Sequence, residues 1–187
     1  MVGNIGKMFG EVKKSEVKPS QDSMERLKPN EGTDVSEKVE TPVLDETAEQ
    51  RRTINDKYEG RYVPGTDVKM ERQVTMNEHG EKVEGVFPEF DSAFDAELPQ
   101  SEWQASDVKH KSIANEQLKE AIQNDPELAG KFTEVQKEQI NDGLVPKGYV
   151  WHHHETPGKL QLVDANTHQQ VRHTGGRNIW GGGSDHR

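Results

Sequence analysis

The stretch GYVWHHHETPGKLQLVDANTHQQVRHTGG, residues 148–176, holds five of the chain's 8 histidines. Tyr149 to Glu155 reads as a strand, Thr156-Pro157-Gly158 as a turn and Lys159 to Val163 as a second strand. Asp164 or Asn166 then caps a short helix that ends at Gly175-Gly176. The order is strand, strand, helix. Successive side chains of a strand point to opposite faces, so His152 and His154 share one face and His153 takes the other. A helix returning across the hairpin carries His168 and His173 towards one end of it. Imidazoles converging in this way can hold a divalent ion, and an unligated imidazole beside them is a base near neutral pH. A Lewis-acidic ion and a histidine base together suit hydrolysis of a phosphodiester. The triplet His152-His153-His154 is internal and bounded by strand and turn patterns, unlike a terminal purification tag.

The rest of the chain sets limits on this reading. With 187 residues, 29% hydrophobic, 31% charged and a mean hydropathy of -1.03, the chain is too polar to bury all of itself in one core. There is no cysteine, which excludes disulfides, thiolate metal sites and a catalytic thiol. No apolar run of membrane-spanning length occurs, and Met1 to Lys14 lacks the apolar core of a secretory signal. The net charge of -10 argues at first against nucleic acid. Its distribution alters that: residues 147–187 have five basic against three acidic side chains, a net of +2, so residues 1–146 carry -12.

Residues 1–55 show neither helical nor strand periodicity and read as a disordered acidic linker or tail, leaving 56–187 as the folded domain. Val68, Met70, Val74 and Met76 alternate, with Arg72 the exception. They meet a turn at Asn77–Gly80 and a return strand from Lys82 to Phe87. Phe87, Phe90, Phe94, Leu98 and Trp103 supply the bulk that docks this hairpin. Ser106 or Asp107 caps a helix reaching about Asn124, with Ile113, Leu118, Ala121 and Ile122 on one face and Pro126 stopping it. A second helix starts at the capping box Thr133…Gln136, carries Val135 and Ile140, and stops at Gly143. The expected fold class is α+β: a hairpin and two short helices ahead of the strand-strand-helix segment.

Trp151-His152-His153, with Pro157-Gly158-Lys159-Leu160-Gln161-Leu162-Val163, His168 and Val171-Arg172-His173-Thr174-Gly175-Gly176, resembles the HNH/endonuclease VII superfamily nucleases of the Trp-His-His (WHH) type. These are commonly C-terminal toxin modules of bacterial polymorphic toxins. A weaker likeness runs upstream through Gly85–Phe90, Asn115–Leu118 and Asn141–Pro146, to cover roughly residues 85–183. The resemblance implies a ββα-metal (His-Me finger) core over 148–176, with His153 as general base and His152 as first metal ligand. His168 and His173 match the later ligand positions. It further implies one divalent ion (Mg, Zn, Ni or Mn) and nucleic acid as substrate, DNA ahead of RNA. The products would carry a 5′ phosphate and a 3′ hydroxyl. Delivery into target cells as part of a larger toxin and a cognate immunity protein complete the implication.

Two departures from the pattern matter. The interval from His168 to His173 exceeds the spacing that puts two side chains on one helical face. Either the helix ends early and His173 comes from the following turn, or His173 stands behind the ligands. The central Asn of the HNH pattern is Lys159 here, which can hold a phosphate but cannot accept a hydrogen bond from an imidazole N–H. Orientation of His153 then falls to a backbone carbonyl or another side chain. Lys159, Arg172 and Arg177 fit phosphate contacts. Trp151 reads as a core anchor, His154 as a half-exposed neighbour, and His79 and His110 as surface residues. The rival readings are an RNase of the same fold and a non-catalytic interaction module stabilised by a metal.

Overall fold

The computed structural model of the chain describes residues 47–186. The tail expected over 1–55 lies outside the described residues as far as residue 46. Residues 49–50 form a short strand, β1 (Glu49–Gln50), and Thr53 is buried. After β2 (Arg61–Tyr62) comes the hairpin of β3 (Lys69–Met76) and β4 (Lys82–Glu89), antiparallel from Met76↔Lys82 to Lys69↔Glu89. The sheet order is β1-β4-β3-β2, with β1 parallel to β4. Arg72 breaks the apolar alternation because it is a counter-charge. Its Nη1 lies 3.3 Å from the buried Glu84 carboxylate, and its Nε and Nη2 each donate to Glu59 at 2.6 Å. The alternation also fails at its end. Val74 and Met76 are exposed, and Thr75 turns inward to donate to the Glu155 carbonyl at 2.6 Å.

A second sheet has the order β5-β7-β6, from β5 (Ser92–Glu97), β6 (Tyr149–His153) and β7 (Lys159–Asp164), all antiparallel. Strand β5 was not among the expected elements. Three helices, not two, separate it from β6: α1 (Asp107–Asn124), α2 (Pro126–Gly130) and α3 (Glu134–Asn141). The Ser106 side chain accepts from Lys109 N–H, and Thr133 forms the full capping box with Gln136. Asp125 caps α2, whose first residue is the Pro126 that stops α1. A short helix, α4 (Ala165–Gln170), follows β7 and is capped by Asp164.

The second sheet lies between two apolar clusters, and strand alternation decides which residues enter each. Trp151, Leu160 and Leu162 pack with Ala114, Leu118, Ile122, Ile140 and Trp180. Val163, with Val150 packed against it, joins Val68, Met70, Val86, Phe90 and Val171 on the other side. Burying a side chain of this size contributes about 1.5–3 kcal/mol, so a register slip of one residue in β6 would forfeit several such contributions. Asn115 fixes that register from α1. Its Oδ1 accepts from Trp151 Nε1 at 2.7 Å and its Nδ2 donates to the Gly143 carbonyl at 2.8 Å. Asn115→Ala is therefore expected to cost about 2–4 kcal/mol in urea denaturation, because it strands a buried indole N–H as well as removing two hydrogen bonds. A loss below about 0.5 kcal/mol would show that these bonds do not hold the strand.

Candidate active site

Residues His152 and His153 are neighbours in the chain and belong to opposite faces of β6. His152 is 2% exposed and meets His168 and His173, with ring centroids 5.4 and 4.8 Å away. One nitrogen from each of these three rings lies within 4.8 Å of the others. The Phe90 ring covers the group, 4.9 to 5.4 Å from each imidazole centroid. His168 comes from the middle of α4. His173 does not share that helix: α4 stops at Gln170 because Val171 turns into the apolar cluster, and His173 sits in the extended segment beyond it. Of the two arrangements left open by the five-residue interval, the helix that ends early is the one observed.

The three rings suit a cation. His173 Nδ1 donates to the Val171 carbonyl at 2.7 Å, which leaves the lone pair on Nε2, 3.2 Å from His152 Nδ1. His152 Nε2 is buried without a hydrogen-bond partner. Burial, and then the neighbouring His173 and His168 rings, pushes His152 well below the ordinary imidazole value. His168 is lowered to about 4 by burial and by His173, and burial also lowers His173. All three are neutral at pH 7, the protonation state that metal ligation requires.

His153 faces α1. His110 of that helix was expected at the surface and is instead fully buried. Its Nε2 lies 2.7 Å from the Glu102 carbonyl, which can only accept, so Nε2 carries the proton and Nδ1 the lone pair. That Nδ1 lies 3.0 Å from His153 Nε2, which must then donate, and in the neutral ring the lone pair of His153 falls on Nδ1. Burial lowers His110 below its usual value, which keeps it an acceptor. His110 answers the question that Lys159 raised: a helix side chain from 43 positions upstream orients His153.

Arg177 was expected as a phosphate contact, but it is 2% exposed. Its guanidinium donates to the carbonyls of Trp103 and Ala105, approaches His110 Nδ1 at 3.2 Å, and sits 3.3 Å from Asp107. Asp107, His110 and His153 form a second group with metal-ligand spacing among the described residues. The guanidinium already supplies the positive charge there, so the three-imidazole group is the better cation site. Lys159 is ion-paired to Asp95 at 2.7 Å, whereas Arg172 is exposed beside His173. Trp151 is 4% exposed within the helix-side core. His154 turns away, accepting Thr156 N–H at Nδ1 with Nε2 3.4 Å from Glu155. Gly176 closes the site from the C-terminal side. A Cβ there would stand 1.8 Å from the His154 carbonyl, which also accepts from Trp180 Nε1, so the position admits only glycine.

A family model described as the DNase/tRNase domain of colicin-like bacteriocin matches residues 79–175, which span β4 to the segment bearing His173. No curated protein and no solved structure matches the chain.

The buried Glu155 carboxyl titrates anomalously: burial raises it to about 7, from an ordinary 4.5. A carboxyl raised in the fold favours folding most below its unfolded value and penalises folding as pH rises through 7. With the metal chelated, Glu155→Gln should therefore be more stable than the parent by on the order of 2 kcal/mol at pH 8, with the gain vanishing near pH 4.5. Urea titrations across that range test it. A gain independent of pH would rule out the buried charge as its origin.

Proposed function

Since the chain belongs to the family of DNase/tRNase domains of colicin-like bacteriocins, and is thus a nuclease toxin domain, we propose that it is a metal-dependent endonuclease with His153 as general base. The proposal extends to a ββα-metal core of the Trp-His-His type built from β6, β7 and α4. The supporting observation is the division of adjacent His152 and His153 between two differently wired faces, one of clustered neutral imidazoles and one where a relay fixes a single tautomer. A purely structural metal site gives no reason for the second face, which is why the interaction-module reading is set aside.

His152, His168 and His173 would hold one divalent ion, magnesium, zinc, nickel or manganese, which when bound supplies Lewis acidity at the scissile phosphate. The chain's own residues do the rest. His153 takes a proton from water at Nδ1 while its Nε2–H remains on His110, so the ring does not rotate as it becomes cationic. The water oxygen bonds to phosphorus, the bond to the 3′ oxygen breaks, and that oxygen gains a proton from solvent. A 5′ phosphate and a 3′ hydroxyl result. Arg172, exposed next to His173, is placed to contact a phosphate. Arg177 acts instead through His110 and Asp107, and Lys159 through its pair with Asp95.

DNA is the proposed substrate. RNA is the second reading, because the family's description covers both a DNase and a tRNase. A cognate immunity protein and delivery into target cells belong to the same proposal.

Plasmid DNA and tRNA, each incubated with the full chain under separate divalent ions, test this reading. His153→Ala should lower cleavage about 100- to 10,000-fold while the ion still binds. His152→Ala should abolish ion binding, and His110→Ala should reduce kcat more than it raises KM. Cleavage by His153→Ala at the parent rate would refute the mechanism.

A further inference from the structure

His173 has a structural problem that His168 does not share. It lies beyond the end of α4, where no helical hydrogen bonds hold the backbone, yet its ring must stay within coordination reach of two others. The bond from its own Nδ1 to the Val171 carbonyl sets the ring's rotation but not the position of the loop.

We propose that Thr53-Ile54-Asn55, upstream of the family-matched residues, is a positioning strap that sets His173 in the metal centre. The proposal rests on the reading of His152, His168 and His173 as that centre.

Each of the three residues makes a different anchor. Thr53 is buried and pinned to β4: its Oγ1 donates to the Val86 carbonyl at 2.6 Å and accepts from Val86 N–H at 3.2 Å. The Ile54 N–H donates to Thr174 Oγ1 at 3.0 Å. The Asn55 side chain donates through Nδ2 to the Arg172 carbonyl. The residues immediately before and after His173 are thus both held by consecutive residues of one segment, which is itself fixed to the β1-β4-β3-β2 sheet. Arg51 adds a contact from Nη1 to the Asn178 carbonyl at 3.5 Å, further along the same C-terminal segment.

The backbone supplies a second, independent sign. Asn55 has φ 70° and is the one non-glycine with positive φ among the described residues. That conformation is unfavourable for a residue with a Cβ, and asparagine tolerates it better than most. Such strain persists where the surroundings impose it. Here it aims the amide at the Arg172 carbonyl, and the chain then enters the turn at Asp56–Tyr58 through the bond from Tyr58 N–H to the Asn55 carbonyl.

The experiment uses the full chain and reads ion affinity by calorimetric titration with nickel and zinc chlorides, alongside thermal melting of the chelated proteins. Asn55→Gly keeps the left-handed backbone and removes the donor. It should weaken ion binding about 10-fold, the low end of what loss of a ligand's support costs. Asn55→Asp, which sets a carboxylate against the Arg172 carbonyl, should weaken it more, and Thr174→Val should resemble Asn55→Gly. Thr133→Ala is the control. It removes the α3 cap, lowers the melting temperature and should leave ion affinity unchanged. Parent-like affinity in Asn55→Gly overturns the strap while leaving the metal centre intact. Equal weakening in Thr133→Ala overturns it too, by assigning the effect to global stability. If the parent chain binds neither ion, or binds them equally well as His173→Ala, the metal centre itself fails and the strap falls with it.

Discussion

The site depends on the antiparallel pairing of β6 with β7. Register places Trp151 opposite Leu162 and His152 opposite Gln161, so the alternation of one short strand sends Trp151 and His153 towards α1 and His152 towards α4. In the proposed mechanism a ligand and a base approach the same phosphate from different directions, and a strand would achieve this with two adjacent residues at no cost in chain length. The arrangement is only as reliable as the register. That is fixed by apolar residues on both faces and by the Asn115 bonds to Trp151 Nε1 and the Gly143 carbonyl. One residue of slip would exchange the two histidines and bury the wrong one.

Electrostatics separate the two faces further. On the side of the clustered imidazoles, burial lowers His152, His168 and His173, and neighbouring rings lower His152 and His168 further, so a cation would meet lone pairs and not competing protons. On the His153 side, a permanent cation stands behind the His110–His153 pair: Arg177 lies against both His110 and Asp107. A second positive charge on His110 would be opposed by burial and by that guanidinium, so in the proposed mechanism the proton taken from water would stay on His153. Asp107 Oδ1 lies 3.9 Å from the same His153 Nε2.

What the sequence revealed follows from how local each signal is. The β3–β4 hairpin, the Ser106 cap, the Thr133 capping box and the strand-strand-helix order are written in residues a few positions apart, and all are present. Strand β5 escaped notice because Ser92–Glu97 is short and polar and its partner β7 lies some 65 positions later. His110 left a usable trace. It begins the series His110, Ala114, Leu118, Ile122, four positions apart, which is the buried stripe of α1. Reading histidine as polar by default hid it. For Thr53–Asn55 there was no such trace, since hydrogen bonds to a loop 120 positions away impose no period on the sequence. Lys159 and Arg177 looked like phosphate contacts because a sequence shows a charge without its counter-ion.

The acidity of the chain acquires a location in the same way. Residues 67–102, which contain β3, β4 and β5, carry ten acidic against three basic side chains. Part of this is neutralised internally, as Glu84 is by Arg72, but the hairpin side remains a poor surface for a polyanion. Residues 51–61 invert the balance, with Arg51, Arg52, Lys57 and Arg61 against Asp56 and Glu59, and the exposed Arg172 lies where Asn55 meets the His173 loop. A cavity of about 480 Å³ lined by Arg52 to Lys57 and Thr174 opens there. Repulsion from one side and attraction on the other orient an approaching nucleic acid more sharply than a uniformly basic surface would, because each phosphate is steered by the gradient and not by the net charge. The segment proposed to hold His173 in place would therefore also be the side from which a phosphodiester backbone reaches it.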